Sequence, residues 1–253
     1  MDRRRARRAL KDEEVRRLIA AAFASKTVIA KLSGPERALL YLAATYTGFR
    51  WGEHRDMKRK DFLLEEDPPR LAPPAEVQKS GRADVVVLRL DLAAVLRGYF
   101  TSRLLAPGDL AFPMPTNNEG GGMVESDLAE TGDSPEVAAE KIARGEEPVK
   151  PIPYVDDHGR YADFHSLRHS LGTMLDKVRV DVPVPLGVRH QIMRHSPGKS
   201  LTLRVYTHTE LVEQAEVLEK LPNLIPAGML KGAVADDGYS PVAPILDARK
   251  PVA

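Results

Sequence analysis

No cysteine occurs among the 253 residues, which excludes a disulfide framework and any thiolate metal site. The expected compartment is therefore a cytoplasm. No apolar run approaches the ~20 residues of a membrane-spanning helix. The stretch Leu18 to Ala30 is broken by Lys26 and preceded by acidic residues, so it fits neither a span nor a signal peptide. Charge of one sign is lacking too, since the formal net charge is +1. A sum so near zero argues neither for nor against nucleic acid, and the distribution must be read instead. What is present is an ordinary hydrophobic share, 43%, in a chain long enough to bury a core as one large domain or two small ones.

The charges are unevenly placed. Arg3, Arg4, Arg5, Arg7, Arg8, Lys11, Arg16 and Arg17 crowd the start, and Arg55, Lys58, Arg59 and Lys60 form a second basic group. Acidic residues gather from Glu119 to Glu147. Solvated helix faces would account for such clusters, and for the N-terminal arginines taken alone that reading is favoured. A surface facing phosphates is the other reading.

Periodicity gives the elements. Residues 11 to 24 read as an amphipathic helix with Val15, Leu18, Ile19, Ala22 and Phe23 on one side and acidic residues in the first turn. A second helix opens at Ser33-Gly34-Pro35-Glu36, a cap followed by an early proline and a carboxylate, and stops at Gly48. Pro68, Pro69, Pro73 and Pro74 bound short strands. Glu76 to Arg82 followed by Val85 to Leu90 reads as a hairpin with a Ser-Gly turn. Asp91 to Phe100 reads as a helix with Leu92, Val95, Leu96 and Tyr99 inward. Between residues 114 and 160, the Gly-rich run Asn117 to Gly122 is a flexible linker, followed by short helices near 123–131 and 135–144. Asp156-Asp157-His158 before a glycine is a turn rather than a metal site.

The densest chemistry lies between Phe164 and His208. In a helix from Phe164 to Val178, Leu167, Leu171, Met174, Leu175 and Val178 form the buried stripe, while His165, Arg168 and His169 stand together at i, i+3, i+4. A guanidinium suits a phosphate oxygen, and an adjacent imidazole can donate or accept a proton near neutral pH. A helix from about Leu186 to Arg194 ends at His195-Ser196-Pro197-Gly198, Ser200 to His208 begins a helix bearing Tyr206, and Glu210 to Leu221 continues as a helix with Leu211, Ala215, Leu218 and Leu221 in register. From Pro222 onward the chain reads as a poorly ordered tail, with one short segment near Ile225 to Leu230.

These motifs resemble the catalytic domain of the tyrosine recombinases, the phage-integrase family. Its members carry Arg, Lys, His-x-x-Arg, His or Trp, and Tyr in that chain order. The matching residues here are Arg50 in Thr47-Gly48-Phe49-Arg50-Trp51-Gly52-Glu53, Lys79 in Gln78-Lys79-Ser80-Gly81-Arg82, then His165, Arg168, His195 and Tyr206. Met193-Arg194 stands where the family usually has Leu-Gly before the histidine. Each residue alone has an ordinary explanation. Tyr206 would be a helix-packing tyrosine, His195 a helix C-terminal cation, Arg168 an ion-pair partner, Lys79 a solvated hairpin charge, and Glu53 a surface glutamate. The joint order, from residue 47 to 208, is what carries the resemblance.

The resemblance implies an α+β, mainly α fold, a helical core with a small antiparallel sheet. It implies a catalytic domain over 1–221 with an insertion at 114–160, read as a flexible and passive surface excursion, and a tail over 222–253. The family's N-terminal DNA-binding domain is expected to be absent from the chain. Arg50 and Arg168 would clamp a scissile phosphate of double-stranded DNA, and Tyr206 would attack phosphorus to form a 3′-phosphotyrosyl bond. His165 would accept the tyrosine proton, Lys79 would protonate the leaving 5′ oxygen, and His195 would hydrogen-bond a phosphate oxygen. Glu53 and His169 would support them, and Arg55, Lys58, Arg59, Lys60, Arg82 and Arg194 would touch DNA. Neither metal, cofactor nor ATP is implied. The implied assembly is a homotetramer on DNA and a monomer in free solution, associated with a prokaryotic nucleoid in the cytoplasm. Relaxation of supercoils by a type IB topoisomerase chemistry, and a DNA-binding relic without chemistry, are the alternatives.

Overall fold

The computed structural model describes residues 6–115, 121–178, 184–194 and 211–233. Helices dominate, and one small three-stranded antiparallel sheet accompanies them. Helix α1 (Asp12–Ala24) buries Val15, Leu18, Ile19 and Ala22, the stripe that the sequence marks. Its first turn is fixed where the Glu14 carboxylate accepts the Lys11 amide at 2.7 Å.

Helix α2 (Gly34–Thr47) is buried along almost its whole length and packs on α1. Its capping sequence works as its composition requires, with Glu36 Oε2 accepting from the Ser33 amide at 2.9 Å. The other end stops at Gly48, whose φ of 64° favours glycine. A side chain there would also crowd Arg168 and Leu171, both 3.2 Å from an added Cβ. Helix α3 (Trp51–Asp56) starts after only two residues, Phe49 and Arg50.

The sheet orders β1 (Phe62–Leu63), β2 (Arg70–Leu71) and β3 (Val86–Val87), with Phe62 opposite Leu71 and Leu71 opposite Val86. The expected hairpin is thus corrected in its arms: β3 pairs with β2, and residues 75–78 form turns. Pro73 and Pro74 cannot donate to a ladder, and the Gln78 amide group bonds the carbonyls of Pro73 at 2.7 Å and Asp84 at 3.0 Å. The Ser-Gly turn is present, with Gly81 at φ 65° and its amide on the Gln78 carbonyl at 2.9 Å.

Helix α4 (Leu90–Ser102) turns Leu92, Val95 and Leu96 inward and packs on α2. The 114–160 region divides into two kinds of structure. Helix α5 (Gly121–Ala129) is core: Met123, Val124, Leu128 and the charged Asp127 are buried, against the expectation of a passive excursion. Helix α6 (Pro135–Ala143) buries nothing and lies on the surface. The Asp156 carboxylate closes the expected turn by accepting the amides of His158 at 3.0 Å and Arg160 at 2.9 Å.

Helix α7 (Phe164–Lys177) buries Leu167, Leu171, Met174 and Leu175 and packs on α2. Helices α8 (Leu186–Ile192) and α9 (Leu211–Glu219) pack on each other and on β3. The expected α9 stripe faces the core, with Leu218 and Leu221 buried and Leu211 and Ala215 partly buried against it, and Gln214 and Val217 are buried beside them, Gln214 bonding Gln191 at 3.0 Å. Past Pro222, where a tail is expected, residues 222–225 and α10 (Ala227–Ala233) pack against the core, α10 on α4. The Tyr46 hydroxyl donates to the Pro222 carbonyl at 2.8 Å and accepts from the Leu224 amide at 2.9 Å. Among the described residues, no helix is long and apolar enough to cross a membrane.

Candidate active site

The site begins where α2 ends. Arg50 caps α3 in an extended conformation, and its amide donates to Glu53 Oε2 at 2.7 Å. The Arg-x-x-Glu spacing therefore folds locally as a helix start whose third residue reaches back to its cap. Glu53 is only 3% exposed. Its Oε1 also accepts the Lys79 amide at 3.0 Å and Arg50 Nη1 at 3.4 Å. Arg194 closes on both oxygens, Nη1 to Oε1 at 3.4 Å and Nη2 to Oε2 at 3.1 Å. Burial pushes the Glu53 carboxyl up, but the Arg194 hydrogen bond and the Arg50 amide outweigh it and hold it at about 2. It is an anion at neutral pH.

Arg168 reaches the same corner from α7. Its side chain is buried, with Nη1 donating to the Gly48 carbonyl at 2.5 Å and Nη2 to the Met193 carbonyl. Burial, then the charges of Arg194 and Arg50, bring it down to about 10, so it stays charged at neutral pH but uncomfortably so. Among the described residues Glu53 is the one carboxylate hydrogen-bonded to Arg50 or Arg194, none bonds Arg168, and Asp84, which also acts on Arg194, is paired with Arg82, so positive charge is in excess here. Desolvated positive charge in excess of its partners is stabilised by an added anion. The Arg50 side chain is 36% exposed and offers the surplus to the outside.

The three residues expected together on α7 divide. Arg168 points to Gly48, whereas His165 and His169 stack edge to face with ring centroids 5.1 Å apart. Arg168 is drawn away because its long stem reaches two carbonyls that need donors. Burial first, then His169 and Arg7, lowers His165 to about 4, and burial lowers His169 as well. Both imidazoles are neutral at pH 7. Arg7 sits beside them through its 2.6 Å bond to Asp163, the residue that caps α7.

The Lys79 side chain is exposed while its amide is tied to Glu53. His195 and Tyr206 lie outside the described residues. Of the residues expected to touch DNA, Lys58, Lys60 and Arg82 are exposed. Arg55 pairs with Asp56 at 2.7 Å, and Arg59 lies 4.9 Å over the Phe100 ring while donating to the Phe62 carbonyl. Arg194 is a correction: its side chain is 3% exposed, stacked 3.5 Å over Phe49 and bound to Glu53, because α8 delivers it inward at a residue with φ 50°. Several N-terminal arginines are also engaged within the chain, Arg8 with Glu14, Arg16 with Glu13 and Arg17 with the carbonyls of Thr131 and Lys150.

Sequence reasoning passes over His54. It is fully buried among Phe49, Phe112 and Phe164, at ring distances of 6.0, 6.3 and 6.2 Å. Neither ring nitrogen has a hydrogen-bond partner among the described residues. Burial pushes it down to about 3, so it is neutral. Its only sequence signal is its place beside Glu53. Among the described residues no group of three or more His, Asp or Glu is placed to hold a metal ion.

No protein-family model and no curated protein matches the chain. Among solved structures, an integrase from mycobacterium phage Brujita is similar at a TM-score of 0.49 and 18% identity, over 92% of this chain and 65% of that one. The chain thus spans about two thirds of that protein's length.

Proposed function

We propose that the chain breaks and rejoins DNA strands as a site-specific tyrosine recombinase, with Arg50 and Arg168 binding the scissile phosphate and Tyr206 as nucleophile. The observation that supports this most is convergence. Arg168 comes from α7 to bond the Gly48 carbonyl, 120 positions earlier, beside Arg50, and the Lys79 loop is tied to Glu53, the carboxylate that Arg50 also bonds. Two motifs that the sequence holds far apart are neighbours around a surplus of positive charge.

The chemistry follows from what a phosphodiester requires. Attack by a tyrosine oxygen produces a pentacoordinate transition state with more negative charge on the non-bridging oxygens, and preorganised guanidinium donors stabilise it more than the ground state. The phosphate would exchange for one or both carbonyls that Arg168 now holds, an anionic acceptor replacing a neutral one on the same charged donor. As Tyr206 bonds phosphorus, the bond to the 5′ oxygen breaks; His165 takes the phenolic proton and Lys79 supplies one to the leaving oxygen. His165 is neutral and can accept a proton. A bound phosphate beside it would raise its affinity for that proton. Because the phosphotyrosyl link conserves the bond energy, another 5′-hydroxyl can reverse the attack and join new strands without ATP. Recombination would pair sites through a tetramer on double-stranded DNA.

Covalent trapping tests the proposal. The protein is incubated with a pool of nicked genomic fragments, denatured, and examined for a protein-DNA adduct. An adduct lost in Tyr206→Phe supports the assignment, and one that persists in that variant removes it. Relaxation of unpaired supercoiled plasmid would instead favour a topoisomerase.

A further inference from the structure

We infer that Arg194 is a positioning residue, which clamps the Glu53 carboxylate in the orientation that holds the Arg50 turn and the Lys79 loop together, and that it does not bind DNA phosphate. What Arg50 and Lys79 do rests on the function proposed above; the clamp itself rests on geometry alone. Among the described residues, Arg194 is the side chain that contacts both oxygens of Glu53. The same Nη2 reaches the Gly48 carbonyl at 3.1 Å, and the guanidinium lies 3.5 Å over Phe49. A flat fork that stacks on a ring while bonding a carboxylate and a carbonyl is work for arginine, and lysine cannot reproduce it.

The arrangement connects three separate segments. Glu53 belongs to α3, Arg194 to the turn that follows α8, and Lys79 to a loop whose residues 79–83 are all exposed. That loop meets α3 through the Lys79 amide, which is bonded to an oxygen that Arg194 also holds. A carboxylate as buried as Glu53 needs its counter-charges to remain ionised in one place. Without Arg194 it would retain the Arg50 side chain at 3.4 Å and two amides. It would then turn or take up a proton, and the Lys79 amide would lose a charged acceptor. The φ of 50° at Arg194 is a conformation L-residues seldom adopt, and it is held by these contacts.

The test compares the full chain with Arg194→Met and Arg194→Lys. Amide hydrogen exchange without DNA is read at Lys79 and its neighbours, and DNA affinity is read against salt. In Arg194→Met the Lys79 amide should exchange about tenfold faster, as expected for losing a hydrogen bond to a charged group, with amides in α1 unchanged. Arg194→Lys, which keeps the charge but not the fork, should show a smaller rise in the same place, and it answers the question if the methionine variant does not fold. The slope of log affinity against log salt should be that of the native chain in both. Unchanged exchange at Lys79 in the variants would overturn the clamp. A salt slope smaller by about one would place Arg194 on a phosphate and overturn it equally. Faster exchange in a protein that forms no Tyr206 adduct would keep the clamp and remove the proposed reaction.

Discussion

The two ends of α2 each hold a buried arginine, and they hold it differently. At the start, Arg37 is fully enclosed and makes a double contact with Asp127, at 2.9 and 2.8 Å. It also donates to the carbonyls of Thr27 at 2.6 Å and Leu32 at 3.0 Å, and Tyr41 fills the second Asp127 oxygen at 2.6 Å. Burial works against the charge, but Asp127 more than offsets it and raises the Arg37 pKa. At the far end, Arg168 has two carbonyls, and among the described residues no carboxylate bonds it. Its pKa falls, driven by burial and by two neighbouring guanidiniums. One end is electrically closed and the other is open. A closed cluster contributes to the fold, whereas an open one is stabilised by an anion from outside.

The contrast can be broken or sharpened by measurement. The largest effect should come from Arg37→Met, which strands Asp127 and Tyr41 in the core. Urea unfolding should show a loss of about 3–5 kcal/mol, the cost of breaking a buried pair from one side, and a loss below 1 kcal/mol would remove the claim that this end is scaffold. Arg50→Ala and Arg168→Ala should lower covalent adduct formation by ~100-fold or more, while Arg168→Met costs less in urea unfolding than Arg37→Met does. Normal cleavage by either alanine variant would place the phosphate elsewhere.

A third expectation concerns pH. The folded values of His54, about 3, and His165, about 4, lie below the ordinary 6.5. The unfolded chain therefore binds the protons first, so stability is complete above pH 6.5 and declines as pH falls towards 4 and 3. Between pH 6.5 and 5, native protein should lose about 2 kcal/mol more than His54→Leu, at about 1.36 kcal/mol per pH unit for one proton. Equal losses in thermal melts at the two pH values would mean that the pocket admits the charged ring. The smallest effect belongs to the exposed Lys58, Lys60 and Arg82. Replacing any one by glutamine should weaken DNA binding modestly and reduce the salt slope by about one, as titration at several salt concentrations would show.

What could be read from the sequence was what neighbours in the chain decide. The Ser33 cap, the Gly48 stop and the α7 stripe depend on residues within a turn or two, and each lies where its pattern places it. The acidic segment after Glu119 was harder, because an aspartate that ends up in the core looks like any other until Arg37, 90 positions away, is beside it. Arg194 misled for the same reason. Basic residues near a signature motif suggest a surface, and nothing local discloses that Glu53 and Phe49 will take this one inward. The arms of the hairpin were misplaced because strands of two residues leave too little alternation to read. Glu53 itself was legible as a helper of Arg50, but its hold on the Lys79 amide depends on tertiary placement alone.

One modest seam near the N-terminus has a mechanical meaning. The Ala6 carbonyl accepts the Tyr161 amide at 2.8 Å, the Arg8 amide returns to the Tyr161 carbonyl at 3.0 Å, and the Leu10 amide rests on the Ser170 hydroxyl at 2.9 Å. With Arg7 on Asp163, these four residues act as a splint laid across the first turns of α7. A protease that trimmed them would leave the core of α7 packed but loosen its entry, and the two histidines that stand there would lose their fixed bearing.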